Sequence, residues 1–393
     1  MTQSLLGLEI LFTKIIQTNT SKIIILMQNY DKKTFLDINL EAIKKNFKII
    51  KKKVGNDCIV ASTVKADAYG LGANKVVPSL ISAGCKNFFV ATTNEAVELR
   101  KISKIITIFI LNGLITNNLR LIKEKKLIPV INSLEQLKII ESYQKRKNIN
   151  LDIALHFDTG MSRLGFDYKE TAYLIKNKKE FITKSRIKLV MSHLSCADDT
   201  SSKLNKSQLK DFVNIKKNFP NALHSLSNSA GVLLGKKYHF DMVRPGISLY
   251  GGKCQKNERI IYNHVVNLKA RLIQVREIVK GDTIGYGATY TAKSNMKIGT
   301  LSLGYADGFN RLFSNNFRVI YKNKNLPIVG RVSMDLITID LSRIKVDCKK
   351  NDHQFEIIGN TNSISTIAKK INTIPYEILT SLGKRYQRRY ISN

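Results

Sequence analysis

The segment DCIVASTVKADAYGLGA, residues 57–73, runs from β-branched and small apolar residues (Ile59, Val60, Ala61, Val64) into one lysine, Lys65, and then into a small-residue turn containing Gly70 and Gly72. The pattern predicts a buried strand ending in Lys65, a turn carrying Tyr69, and a helix from Ala73. A lysine at the end of a buried strand is partly desolvated, which disfavours its charged form and leaves a usable amine. Ala66, Ala68, Gly70 and Gly72 leave room for a ligand beside that amine, which could form a Schiff base with a carbonyl. In a chain this rich in lysine a solvated residue after a strand is the commoner case, so the weight falls on what surrounds Lys65.

Upstream, Asn39 can cap a helix whose apolar positions Leu40, Ile43, Phe47 and Ile50 recur at helical spacing. Downstream, strands are predicted near 87–92, 105–111, 127–131, 151–157, 187–192, 223–227 and 240–244, with helices at 94–103, 133–146, 169–179 and 205–218 between them. With the strand before Lys65 these make eight. Eight strands alternating with helices predict a (β/α)₈ TIM-type barrel, whose sites lie at the C-terminal strand ends, with an open doubly wound sheet as the runner-up. From about Val265 the pattern turns to short alternating strands with turn signals (Lys280-Gly281-Asp282, Tyr305 to Gly308, Gly330), and no long helix is predicted until 363–371. The expected fold class is α/β, with an N-terminal extension over 1–33, a barrel over 34–265 and a mainly β domain over 266–393.

A chain of 393 residues is too long for one ordinary core, and 43% hydrophobic with 24% charged residues suits a globular enzyme. The 64 Lys+Arg against 30 Asp+Glu give a formal charge of +34. The lysines are spread along the whole length, with no basic tail and no RNP-like aromatic segment, so no specific nucleic-acid partner is expected. Five cysteines without a C-x-x-C pair indicate neither a disulfide framework nor a metal site, and fit a cytoplasmic protein. No apolar run approaches a membrane span. Residues 1–33 lack arginine and a small-residue cleavage site, which argues against a targeting peptide.

At the predicted strand ends stand Lys65, the run Asp158 to Arg163, the run His193 to Asp198, Ser227 to Gly231, and Arg244 to Ile247. In a barrel these face one mouth. With GYGATY, GYADGFNR and GRVSMD further on, the collinear set VKADAYGLG, DTGMSRLGF, SHLSCAD, SNSAG and RPGISLYG resembles alanine racemase, a fold-type III pyridoxal-phosphate enzyme family, from about Thr34 to the C-terminus. The resemblance implies a homodimer whose active sites are each shared, the barrel of one subunit being completed by the β domain of the other.

It also implies roles. Lys65 would hold pyridoxal 5'-phosphate as a Schiff base and then act as the base on one face of the substrate Cα; Tyr286 of the partner subunit would be the base on the other. Arg244 would face the pyridine nitrogen, where an arginine cannot readily donate its proton, and so limit side reactions such as transamination. His193 would pack on the cofactor and link Arg244 to Tyr286. Tyr69, Ser229, Gly246 and Ile247 would hold the phosphate, and Arg163 with the Met334 amide the substrate carboxylate. Tyr305 and Asp335 would support the entrance.

Two positions depart from the family pattern. His156 stands where many relatives have a lysine that is carbamylated in the folded enzyme. Near the C-terminus, the phosphate-binding tyrosine of some relatives aligns with Lys384, two residues before Tyr386. The expected activity is racemisation of L- and D-alanine for peptidoglycan. The alternatives are racemisation of another small amino acid such as serine, whose side chain differs by one hydroxyl, and a non-catalytic pyridoxal-phosphate carrier.

Overall fold

The computed structural model describes residues 34–114, 118–178, 185–346 and 353–392; the extension read over 1–33 and Cys348 lie outside them. The chain divides into two compact units that alternate along the sequence. One comprises Ile38–Val265, Ser363–Thr380 and the residues from Tyr390; the other comprises the residues up to Asp37, Val266–Asn362 and Ser381–Arg389.

Strand β1 (Thr34–Asn39) opens the described chain, and the strands of the barrel unit follow as β2 (Ile59–Val60), β3 (Ser62–Thr63), β4 (Asn87–Val90), β5 (Thr107–Ile110), β6 (Ile128–Ile131), β7 (Asp152–His156), β8 (Arg186–Met191), β9 (Leu223–Ser225) and β10 (Met242–Val243). Strands β3 to β9 form one parallel sheet in sequence order. β2 and β3 are a single extended stretch broken at Ala61, and that break joins the ring: β3 pairs with β4, while β2 pairs in parallel with β10, Met242 opposite Ile59 and Val243 opposite Val60. β10 reaches back to β9 through Asp241 N–H to the His224 carbonyl (3.1 Å) and the Ser225 hydroxyl to the Met242 carbonyl (2.6 Å). The sheet is therefore closed, and the open doubly wound alternative is set aside.

The inside of the ring is filled by Ala61, Phe89, Phe109, Ile128, Val130, Ala154, Leu189, Met191 and Met242. Phe89 and Phe109 stack with centroids 4.6 Å apart. Burying each such side chain contributes about 1.5–3 kcal/mol, which makes the barrel a packed core with its chemistry confined to the strand ends. Around it, helix Leu40–Val54 starts at Asn39, whose side chain accepts the Ala42 N–H at 2.8 Å, and buries Ile43, Phe47 and Ile50 as its spacing predicts.

The second unit is mainly β. Its long strand β11 (Val266–Ile278) pairs antiparallel with β14 (Met296–Ser302) and with β18 (Gln354–Ile358). Between and after them come β12 (Thr283–Ile284), β13 (Tyr290–Thr291), β15 (Arg318–Tyr321), β16 (Lys324–Pro327), β17 (Leu336–Asp340) and β19 (Gln387–Ile391). β1 joins this sheet between β11 and β19. Arg389 on β19 holds the Asp37 carboxylate of β1 at 2.5 and 2.9 Å.

Candidate active site

The barrel unit contains a cavity of about 800 Å³ at the C-terminal strand ends, bounded by Lys65, Tyr69, His156, Arg163, His193, Asn228, Ser229, Arg244 and Gly246, with Asn112, Ile374, Tyr376 and Thr380 among the remaining walls. Of the residues singled out from the sequence, Lys65, Tyr69, Arg163, His193, Ser229, Arg244 and Gly246 thus share one cavity. Ile247 follows Gly246 and is fully buried at the start of a 3₁₀ turn, Ile247–Tyr250.

Lys65 enters the cavity from an unusual piece of backbone. The four residues after it, Ala66 to Tyr69, are all left-handed, with φ between 52° and 59°, and none is glycine. Each such residue costs roughly 1–2 kcal/mol relative to a right-handed turn, so the segment is held by its surroundings. The Asp67 side chain accepts the Ala73 N–H (2.7 Å) and the Asp67 carbonyl the Gly72 N–H (2.9 Å). Ala68 and Leu71 are fully buried, and Tyr69 packs on Tyr250 at 4.7 Å. Gly70 also approaches another segment closely: a Cβ there would lie 2.8 Å from the Leu379 carbonyl. Burial depresses the Lys65 amine pKa, Arg163 adds to the depression, and Glu95 opposes it.

Arg244 is buried in the cavity wall. Its guanidinium donates to the Ser192 carbonyl (2.6 Å), the Leu226 carbonyl (3.3 Å), the Ser225 hydroxyl and Nδ1 of His193 (3.4 Å). Burial brings its pKa down to about 9, which leaves it cationic at neutral pH. Burial, then Arg244 and Arg163, hold His193 far below the usual histidine range, so it is a neutral imidazole.

His156 is neutral for the same reasons, its pKa held down to about 3 by burial and then by Arg244. Its Nδ1 lies 2.8 Å from Asn132 Oδ1. The Asn132 amide nitrogen donates to the Leu111 and Val130 carbonyls (3.1 and 2.8 Å), so Oδ1 is the end facing the histidine and Nδ1 carries the proton. A residue so placed gives Arg163 no negative charge.

At the far wall, Ser229 Oγ accepts the Gly246 N–H at 2.9 Å and meets the Ser248 hydroxyl at 3.0 Å. Gly246 leaves a cradle there: a Cβ would lie 2.1 Å from the Tyr69 hydroxyl. Tyr69 and Tyr376 have ring centroids 6.0 Å apart, and burial keeps both phenols protonated. Among the described residues that line the cavity there is no Asp or Glu, against the three cations Lys65, Arg163 and Arg244. The cavity is built for anions.

Tyr286, Tyr305, Met334 and Asp335 belong to the β unit. Tyr286 begins a 3₁₀ turn, Tyr286–Ala288, and is 73% exposed. The Tyr305 and Ala306 amides donate to the Ser333 and Met334 carbonyls, each at 3.0 Å. Asp335 accepts Arg385 at 2.7 Å, and the same arginine reaches Asp307 at 3.3 Å. Tyr386 is buried in that unit and Lys384 is exposed. The cavity tyrosine near the C-terminus is Tyr376, on helix Pro375–Thr380. Tyr376 is not among the site residues expected from the sequence, although proline at a first helical position, followed by an aromatic and then Ile378 and Leu379, is a helix-start signal with a buried face.

Among the described residues no helix is long and apolar enough to cross a membrane, and no group of three or more His, Cys, Asp or Glu could hold a metal ion.

Comparison with known proteins bears on this geometry. The family model described as alanine racemase, N-terminal domain, matches residues 38–254, and the one described as alanine racemase, C-terminal domain, matches 265–390. The chain is 42% identical over 334 residues to an alanine racemase of Rickettsia bellii, covering 84% of this chain and 81% of that protein. It is 39% identical over 370 residues to one of Brucella abortus, covering 91% and 93%. The crystal structure of alanine racemase from Bartonella henselae with covalently bound pyridoxal phosphate superposes with a TM-score of 0.87 at 36% identity, covering 91% of this chain and 99% of that one.

Proposed function

The chain belongs to the alanine racemase family, and from that premise we propose that it interconverts L- and D-alanine, using pyridoxal 5'-phosphate held in the barrel cavity. The observation that carries this is a base-competent lysine and a buried, charged arginine facing one cavity without a lining carboxylate. The residues present fit the cofactor. The Gly246 cradle, flanked by the Ser229 and Tyr69 hydroxyls, offers neutral donors to a phosphate, and Lys65 offers the amine that attaches the aldehyde. Tyr376 adds a further phenol on that side.

When bound, pyridoxal phosphate supplies an electron sink that makes the Cα–H of the attached amino acid acidic. The chain's own residues then decide the outcome. Racemisation needs one group to remove a proton from one face of Cα and another to deliver a proton to the opposite face. Lys65 serves one face, and burial and Arg163, by lowering its amine pKa, favour the neutral form that can take the proton. Tyr286 of the partner subunit serves the other, in a homodimer with shared sites. Arg163, with the Met334 amide of the partner subunit, binds the substrate carboxylate. Arg244 keeps its protons, committed as they are to Ser192, Ser225 and Leu226, so protonation is directed to Cα. Tyr305 and Asp335 frame the entrance. The D-alanine formed serves peptidoglycan synthesis in the cytoplasm.

The reading is tested by incubating the purified protein and pyridoxal phosphate with L-alanine in heavy water. Loss of optical rotation with deuterium appearing at Cα is expected. A visible cofactor band without either change would overturn the racemase reading in favour of a carrier, and faster turnover of L-serine would move the substrate. A second expectation concerns the cradle. Gly246→Ala places a methyl against the Tyr69 hydroxyl, and should weaken retention of pyridoxal phosphate by roughly tenfold or more, measured by equilibrium dialysis.

A further inference from the structure

The left-handed turn after Lys65 has an anchor outside its own segment. Ala66, the first of its four left-handed residues, donates its N–H to Glu95 Oε1 at 2.7 Å. The other oxygen of the same carboxylate, Oε2, accepts the N–H groups of Ala91 (2.7 Å) and Thr92 (3.2 Å) just beyond β4. Glu95 is also the third residue of helix Thr93–Ile102, and Thr92 Oγ1 accepts its N–H at 3.3 Å, a reciprocal capping box. A capping box uses the carboxylate only on its own N-cap amide. Here one oxygen is committed to a residue 29 positions away, adjacent to the lysine that the chemistry requires.

We propose that Glu95 is a positioning residue for Lys65, its single carboxylate tying the left-handed turn to the end of the second barrel strand and so fixing where the lysine amine stands. This rests on the alanine racemase reading for its kinetic consequence, but not for its geometry. Lys65 shares the cavity with Arg163, from the loop after β7, and with Arg244, after β10, and Arg163 disfavours a charge on its amine. Glu95, behind the turn, is the carboxylate that opposes this effect at the amine. It acts through Lys65 and does not line the cavity.

The test compares three variants of the holoenzyme. Glu95→Asp keeps the charge but is one methylene too short to span both sets of amides; Glu95→Gln keeps the length, removes the charge and turns an N–H₂ towards one set of donors. Thr92→Ala removes the other half of the capping box and leaves the Ala66 contact in place. Thr92→Ala is expected to lower the melting temperature by a few degrees, with kcat and the cofactor spectrum unchanged. Glu95→Asp should lower kcat about tenfold to a hundredfold, as expected for a displaced reacting group, with the pH titration of the visible cofactor band near that of the wild type. Glu95→Gln should lower kcat similarly and move that titration to lower pH, because a protonated nitrogen at Lys65 has lost its counter-charge. If both Glu95 variants match Thr92→Ala in all three readouts, Glu95 is only a helix cap and the proposal is overturned. Should Glu95→Gln not fold, wild-type kcat in Glu95→Asp overturns it equally. A wild-type protein that racemises nothing overturns the functional reading instead, and the band titrations still report on Glu95.

Discussion

Replacing Lys65 by methionine is expected to abolish alanine racemisation, by roughly four orders of magnitude or to the limit of detection, because the one side chain both attaches the cofactor and moves a proton. Methionine has a similar unbranched length, so the cavity walls keep their packing and the melting temperature should stay near that of the wild type. The visible cofactor band should vanish, since no amine is left at the turn to hold the aldehyde. The electrostatics add a pH expectation. A lysine whose pKa is depressed by burial and by Arg163 remains an unprotonated base further towards acid than a free lysine would. Activity in the direction that uses Lys65 as base should therefore persist below the ordinary lysine range and fall only as pH drops through the depressed value. A kcat–pH profile measured in both directions checks the sign. Partial recovery of Lys65→Met by a small primary amine would show that the missing amine, and not a collapsed cavity, is the cause.

The sequence exposed the barrel because its strands are short apolar runs separated by helices of regular spacing, a signal that needs no tertiary information. The site residues were legible for a related reason: in a closed parallel barrel each strand end faces the same mouth, so Lys65, Arg163, His193, Ser229 and Arg244 could be collected by their positions after strands. What stayed hidden depends on contacts between distant segments. β1 carries Asp37 in the middle of a six-residue strand, and that charge is tolerated because Arg389, 352 residues later, pairs with it. The residues Ala66 to Tyr69 have no local reason to be left-handed; their conformation is imposed by Glu95, by the Asp67 contacts and by the burial of Ala68 and Tyr69. Tyr376 reaches the cavity from a helix that clusters with the barrel unit although it follows more than two-thirds of the β unit in the chain. Nothing in the local pattern around residue 376 says which unit that helix joins.

His156 shows how the two kinds of information combine. Its position before the Asp158 to Arg163 run was legible, and so was the absence of a lysine there. The structure adds that the imidazole is neutral and that its Nδ1 proton is given to Asn132. The side chains that line the cavity with Arg163 therefore include Lys65, Arg244 and two neutral histidines, while the carboxylates that act on them, Glu95 and Asp158, stand outside the lining. A lining of this kind favours the carboxylate of an amino acid over its ammonium group, which orients the substrate before any proton moves.

Replacing Tyr286 by phenylalanine is expected to lower racemisation by about 10²–10⁴-fold, the range for loss of a positioned acid or base, while the visible cofactor band is kept. Tyr286 stands 73% exposed on its own unit, away from any core that phenylalanine would perturb, so a large kinetic effect would have no origin in stability. The sharper experiment mixes this variant with Lys65→Met. If each site joins Lys65 of one subunit to Tyr286 of the other, a hybrid dimer carries both defects in one site and neither in the second. Random exchange makes about half of the dimers hybrid, so about a quarter of wild-type activity should return from two inactive parents. If both residues act within one subunit, every site in the hybrid keeps one defect and nothing returns. Native mass spectrometry of the mixture establishes that hybrids formed, and activity assayed on the same sample then separates the two arrangements. Recovery near a quarter supports the shared-site dimer, whereas hybrids without recovery place Tyr286 and Lys65 in the same subunit's site or remove Tyr286 from the chemistry. The Tyr286→Phe parent decides between those last two, because a tyrosine outside the chemistry would leave it active.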